Sequence, residues 1–246
     1  MNKTLVLKTL KTLGTAQQRK VYARHGVDTE MFGVSYANFG KLKKEIRTDH
    51  TLAEALWTTG NFDARVLATM IADPQALTAK TVDTWVKDLS NYGITGTFAV
   101  LVRQSPLGPK RMDRWMKSAN EWICSLGWSV LGGLPSREEL PDTFFESYLK
   151  TIEATIHSSK NRVRYNMNMA LISIGVRSAG LHRKAAAAAR RIGTVVVDHG
   201  KTGCKTPDAV SHMDKTLAHR AKQAAAHQKR NTTRKRVRTR RVARQV

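Results

Sequence analysis

Residues 144–174 read FFESYLKTIEATIHSSKNRVRYNMNMALISI. From Phe144 to Ile156, and again from Arg164 to Ile174, apolar residues return at every third or fourth position. That is the spacing of one face of an α-helix, not the alternation of a strand. A short polar run parts the two, and connections this short set consecutive helices antiparallel. The same pattern extends outward along the chain: YANFGKLKKEI from Tyr36 to Ile46, Leu52 to Thr59, FDARVLATMI from Phe62 to Ile71 and TVDTWVKDL from Thr81 to Leu89. Gly60 is placed to close one helix and Asn61 to cap the next, while Pro74, Pro106 and Pro135 interrupt the periodicity. An all-α chain of about ten helices between Thr4 and Ala226 is expected. Helix pairs recur about every 35 to 45 residues, a period that suits an α-solenoid of degenerate two-helix repeats; a closed bundle is the other architecture open to the pattern.

One segment breaks the helical rule. Val195, Val196 and Val197 are β-branched and lead into DHGKTGCKTPDA, which reads as an ordered loop. Asp198, His199 and Cys204 within it could form a catalytic trio or part of a metal site. The chain has two cysteines in all, Cys124 and Cys204, and no second ligand pair nearby, so the loop is read as structural and no metal is expected. Thr206 is expected to cap the next helix, with Pro207 at its first position and Asp208 following.

Composition narrows the function. The 246 residues hold 42 Lys and Arg against 19 Asp and Glu, a net charge of +23, with a pI near 10.5. A polyanionic partner is the natural expectation. The last acid is Asp214, and the remainder carries twelve Lys and Arg; from Gln228 the chain reads QKRNTTRKRVRTRRVARQV. This stretch is read as a disordered arm that grips phosphates without reading sequence, the alternatives being a solubilising tail or an address signal. Apolar runs are too short for a membrane span, Met1 to Thr15 lacks the apolar block of a signal peptide, and two cysteines suit a reducing compartment. An intracellular protein is expected, cytoplasmic and nucleoid-associated in a bacterium. No GxxxxGK[ST], HExxH, GxSxG or Rossmann glycine pattern occurs, so no nucleotide cofactor is anticipated.

Two basic clusters are candidate contacts to that polyanion. In HSSKNRVRY, Ser158 or Ser159 is placed to cap the following helix, which would present free N–H groups and the positive dipole end together with Lys160, Arg162 and Arg164. Tyr165 or Asn166 could pack or hydrogen-bond at a sugar edge, and a solvated basic turn is an equal reading of the same residues. The second cluster is Lys110, Arg111, Arg114 and Lys117, interleaved with Trp115 and Trp122. Trp57, Trp85 and Trp128 lie on apolar stripes and are read as core.

QQRKVYARHG, FGVSYANFGKLKKEI, WVKDLSNYGITGTFAVLV, HSSKNRVRY and IGTVVVDHGKTGCKTPDA together resemble, in order and spacing, the HEAT-like-repeat DNA alkylation repair proteins, the AlkD-like group. The resemblance spans about residues 16 to 215. It implies a right-handed superhelix of HEAT-like or armadillo-like repeats, placed here over residues 1–226; the disordered Arg- and Lys-rich tail read over residues 227–246 lies outside the resemblance. The resemblance also implies a monomer cradling double-stranded DNA by its backbone. In the best-understood members it implies excision of cationic N3- or N7-alkylpurines, with a carboxylate steadying the charge on the sugar and aromatic faces holding the lesion. The family's tryptophan and aspartate, four apart on one helix, fall on Tyr92 and Gly96. A later tryptophan falls near Ala170, and an arginine near Ser125. Tyr92 keeps an aromatic face, and Asp88, one turn earlier, is the nearest substitute carboxylate. Three readings follow: a glycosylase-type repair protein, a non-catalytic binder of damaged, bent or branched DNA, and a helical adaptor for an acidic protein.

Overall fold

The computed structural model describes the backbone of residues 1–242 and the side chains of residues 1–227. Among the described residues it contains thirteen α-helices, two 3₁₀ turns and no strand. In chain order the helices are α1 (Lys3–Leu13), α2 (Ala16–Arg24), α3 (Tyr36–Ile46), α4 (His50–Trp57), α5 (Phe62–Ile71), α6 (Ala79–Trp85), α7 (Tyr92–Val102), α8 (Leu107–Met116), α9 (Glu121–Gly133), α10 (Asp142–Thr155), α11 (Asn161–Gly175), α12 (Ala179–Ile192) and α13 (Ala209–Val242). The bounds of α3 and α5 coincide with the sequence reading. The expected Thr81–Leu89 helix is instead α6 followed by a 3₁₀ turn over Val86–Asp88.

Local chemistry starts most of these helices. Asn61 accepts a hydrogen bond from Ala64 N (3.2 Å), Asn91 from Ile94 N (3.1 Å), and Asn120 from Trp122 N and Ile123 N (2.9 and 3.1 Å). Each satisfies N–H groups that a helix start leaves without partners. Gly60 sits at φ 72°, where a β-carbon would be strained, and so turns the chain sharply between α4 and α5.

The helices stack in two rows. α3, α5, α7, α9, α11 and α13 pack in series as an inner row, and α4, α8 and α12 cover α5, α9 and α11 from outside, with α10 against α12. This is the layered repeat expected of a solenoid and not a closed bundle. Rows approach closely where side chains vanish: a β-carbon on Gly127 of α9 would lie 2.8 Å from the Met112 carbonyl oxygen of α8. The core runs through both rows. Trp57 and Trp85 stack with centroids 4.2 Å apart and planes 1° off parallel, against Phe98. Trp128 and Trp115 are buried as well, so Trp115 supports the core instead of facing a groove.

Neighbouring repeats are also tied at a nearly constant sequence distance. Arg177 Nε meets Asp142 Oδ1 at 2.8 Å, Lys184 Nζ meets Glu146 Oε1 at 2.5 Å, and Arg191 Nε meets Glu153 Oε1 at 2.5 Å. The Lys184 and Arg191 pairs are exposed and add little energy, whereas Arg177 is largely buried; together they mark the register of α10 on α12.

The Val195–Asp208 loop is ordered, as expected. Asn161 clasps Asp198 by two hydrogen bonds of 2.7 Å, and Arg164 Nη1 donates to the Val196 carbonyl (2.6 Å). The loop reaches back to the start of the chain: a β-carbon on Gly200 would lie 3.7 Å from the Arg24 carbonyl oxygen. The helix after it begins later than the sequence suggested. Asp208, not Thr206, caps α13, its Oδ1 accepting from Ser211 N at 2.8 Å. Thr206 and Pro207 are engaged elsewhere, the hydroxyl with His199 Nε2 (3.0 Å) and the carbonyl with Asn168 Nδ2 (2.9 Å). The basic stretch from Gln228 onward, expected as a disordered arm, instead continues α13 as far as Val242; its side chains lie outside the described residues.

Candidate nucleic-acid interface

Five elements bring rings and one guanidinium to a common place on the inner row. Arg162, in the first turn of α11, lays its guanidinium over the ring of Tyr92, the first residue of α7, at 4.7 Å. His25, at the end of α2, meets the edge of Tyr92 with centroids 5.5 Å apart. Tyr165 of α11 meets His199 of the loop in the same way, at 5.6 Å. Tyr36 opens α3 and packs on Phe39 at 5.7 Å. Tyr36 and Tyr92 are the rings left most open to solvent, 48% and 37% exposed, unusual for residues of this size.

A buried carboxylate holds the platform. Asp63 of α5 is fully buried, and its oxygens accept from Phe32 N (2.6 Å), Gly33 N (3.1 Å) and Val34 N (2.7 Å). This fixes the segment between α2 and α3, and the Tyr22 hydroxyl secures it further by donating to the Val34 carbonyl (2.5 Å). Burial pushes the Asp63 carboxyl above its usual range, with the three backbone donors pulling the other way.

The site carries a cation at its centre, flanked by two imidazoles. Burial lowers His25 below 6.5, and the charge of Arg162 lowers it further. His199 is lowered by burial and by Arg162, with Asp198 opposing. Both imidazoles are therefore neutral at pH 7 and become charged only in acid. Burial also raises the Tyr92 phenol, and pushes Tyr36 up to about 12.

The candidates from sequence separate into distinct groups. Arg162 faces the aromatic cluster. Lys160 Nζ donates to the Ala119 carbonyl (2.6 Å), and Arg164 spends donors on Val196 and Ser159 carbonyls (2.6 and 3.1 Å), so these two tie α11 to its neighbours. Ser158 and Ser159 do not cap α11. Both hydroxyls donate back to the Thr155 carbonyl of α10 (3.0 and 2.8 Å), and Lys160 occupies the cap position without a side-chain bond. The helix end is not left free for an anion either, because Glu121 Oε1 accepts from Arg162 N at 2.6 Å. Lys110, Arg114 and Lys117 lie exposed on α8, in the outer row, and Arg111 there pairs with Asp83 at 3.2 Å.

Of the alternative catalytic candidates, Asp88, Asp198 and His199 are engaged elsewhere, while Cys204 is an exposed free thiol. Asp88 accepts from Trp57 Nε1 (2.8 Å) and pairs with Arg65 Nη2 (3.0 Å), which makes it a brace for the core. Asp198 Oδ1 accepts from Gly200 N (2.7 Å), while His199 turns to Thr206. Among the described residues, no group of three His, Cys, Asp or Glu could hold a metal ion. At Gly96 an added β-carbon would meet nothing within 4 Å, so the position is open space beside Tyr92 on the same helix face. Ser125 is buried, its hydroxyl donating to the Arg162 carbonyl (3.3 Å), and Ala170 packs on Gly132. His25 and Tyr36 went unassigned in the sequence, although both lie in the QQRKVYARHG and FGVSYANFGKLKKEI stretches that carry the resemblance.

The family model described as DNA alkylation repair enzyme matches residues 6–213. The chain belongs to this family. Among solved structures it is similar to one described as a new family of proteins related to the HEAT-like repeat DNA glycosylases with affinity for branched DNA structures. That similarity has a TM-score of 0.81 at 28% identity and covers 89% of this chain and 95% of the other. An uncharacterised protein of Listeria innocua is 28% identical over 221 residues, 84% of this chain and 93% of the relative. Another from Listeria monocytogenes is 27% identical over the same shares. The fold of this DNA alkylation repair family member is thus the HEAT-like repeat array of the glycosylase relatives. Among the described residues no helix is long and apolar enough to cross a membrane.

Proposed function

We propose that this member of the DNA alkylation repair family binds branched DNA on its inner row and does not excise bases. One observation carries the reading: where a glycosylase of this type needs a carboxylate to favour a cation, Arg162 places a positive charge over Tyr92 and Gly96 supplies no side chain. A cationic alkylpurine is repelled there, and the charge stabilisation that a carboxylate supplies in the transition state, on the order of 10²- to 10³-fold in rate, has no source. An anionic backbone is attracted instead. The open rings of Tyr36 and Tyr92 add faces on which bases left unpaired at a branch can stack, worth about 1–3 kcal/mol each. The affinity for branched DNA described for the similar structure points the same way. Lys110, Arg114 and Lys117, on the outer row, would reach an arm of the DNA outside the groove, and the protein would act as a monomer in the compartment that holds the DNA.

The test runs two assays on one preparation of the full chain. Fluorescence anisotropy with a three-way junction and a linear duplex of equal length should show tighter binding to the junction, weakened by Arg162→Ala. Methylated duplex incubated with excess protein should release no N3-methyladenine or N7-methylguanine above the protein-free control. Release above that control, or equal affinity for the two DNA shapes, refutes the proposal.

A further inference from the structure

At the opposite ends of the same inner helices lies a second basic site. Arg103 follows the last residue of α7, Gly133 ends α9 and Arg177 lies just past α11. Together with Arg220 of α13, Ser136 and Ser173 they line a cleft of about 460 Å³ with no acidic residue in its wall. Three arginines in one cleft repel each other, and Asp142 together with the carbonyl ends of α7, α9 and α11 offsets that repulsion only in part.

Intramolecular bonding accounts for only part of this charge. Arg177 is fully engaged: Nε with Asp142 (2.8 Å), Nη1 with the Pro135 and Arg137 carbonyls (2.7 and 2.9 Å), and Nη2 with the Leu140 carbonyl. Arg220 donates from Nη1 to the Val176 carbonyl at the end of α11 (2.7 Å), and its other nitrogens have no partner among the described residues. Such bonds are the usual service of a cation at a helix C-terminus. Arg103 performs no such service. Among the described residues its guanidinium has no partner, and it lies across Gly133, where a β-carbon would come within 2.5 Å of Cδ and 2.7 Å of Nη1. Its backbone carbonyl, by contrast, is fixed by Arg137 Nη2 (2.5 Å). The Ser173 hydroxyl, on the cleft wall, is also without a partner among the described residues. An anchored arginine with all its donors to spare, a second with some, and a free hydroxyl form a fork suited to the oxygens of a phosphate.

We propose that this cleft is a second phosphate-binding site, which holds a backbone phosphate of the DNA bound at the aromatic cluster. It rests on the DNA-binding reading above. The two sites are separated by the length of α7 to α11, about 16 to 22 Å at 1.5 Å per residue, so a bound DNA spans the full width of the inner row.

The experiment measures the affinity of the full chain for a three-way junction over a salt series, for the wild type, Arg103→Ala and Arg103→Lys. One lost phosphate contact should make the plot of log affinity against log salt shallower by about 0.9 for Arg103→Ala, with most of it restored by Arg103→Lys. The melting temperature of Arg103→Ala should match the wild type, because no internal bond is removed. A wild type that binds with an unchanged slope in Arg103→Ala overturns the cleft while leaving the DNA-binding reading intact. A wild type without DNA affinity at low salt overturns both. A melting temperature raised by inorganic phosphate over chloride at equal ionic strength, lost in Arg103→Ala while the DNA slope is unchanged, assigns the cleft to free phosphate and overturns the DNA assignment.

Discussion

Replacing Asp63 should loosen the segment that carries the aromatic cluster. In Asp63→Ala, three backbone N–H groups, those of Phe32, Gly33 and Val34, lose their acceptor inside a buried segment. Each orphaned donor costs roughly 1–3 kcal/mol, a gross loss of roughly 3–9 kcal/mol. Part is returned because the removed carboxylate was itself costly to bury, as its raised pKa records, and about 3–5 kcal/mol of destabilisation remains. For a chain of this size that lowers the melting temperature on the order of 10 °C. Asp63→Asn is the sharper probe. Its carbonyl oxygen can keep the Phe32 and Gly33 donors, while its amide confronts Val34 N, so about 1–2 kcal/mol is expected. The two variants should also differ in pH response. The native carboxyl binds its proton more tightly than the unfolded one, whose pKa is 3.8, so its contribution to stability is largest below 3.8 and falls as pH rises through the native pKa. Asp63→Asn lacks that fall, and its deficit against wild type should shrink as pH rises from the acid range towards neutrality. Urea titrations at several pH values measure all three quantities. An Asp63→Ala variant within about 1 kcal/mol of wild type, or an Asn variant as unstable as the Ala variant, would refute the reasoning.

Other expectations are equally direct. Junction affinity should rise as pH falls below neutrality, because His25 and His199 titrate below 6.5 in the free protein and a nearby phosphate raises both, so that binding takes up protons; anisotropy on the His25→Ala, His199→Ala double variant should show a flattened profile, and an unaltered one counts against the site. Asp88→Ala should cost about 1 kcal/mol in a urea titration through loss of the Trp57 and Arg65 bonds, yet leave junction affinity unchanged; weakened binding at full folding would return Asp88 to the site. Gly127→Ala should destabilise by about 1–3 kcal/mol as α8 and α9 are forced apart, and a neutral result in thermal unfolding would mean that the helices shift freely.

The fold was legible because its causes are local. The apolar stripe of Phe62–Ile71 and the Asn61 cap act within one helix, so the sequence pattern and the observed bounds agree. The site was legible only in part, because it joins residues from five elements. Lys160, Arg162 and Arg164 look alike in sequence, but residues two apart on a helix point about 200° apart. Arg162 therefore meets Tyr92 while Arg164 is drawn to the Val196 carbonyl. The cap misreading at Ser158 and Ser159 has a similar origin: a hydroxyl near a helix boundary can serve the helix behind it as readily as the one ahead, and here the Thr155 carbonyl was within reach. Nor could the pattern reveal that Glu121, forty-one residues before Arg162, supplies the missing acceptor.

The approach of Gly200 to the end of α2 bears on how this chain comes apart. A linear array in which each repeat touches only its neighbours can fray from either end, with intermediate states populated one repeat at a time. Here the loop before the last helix rests beside the second helix, and His199 and His25 flank the same arginine. These approaches of very high sequence separation bring the first helices beside the last loop. Such an approach should slow folding, since a long loop must close before it forms, and should couple the two ends, so that the array is expected to unfold as one cooperative unit instead of unzipping.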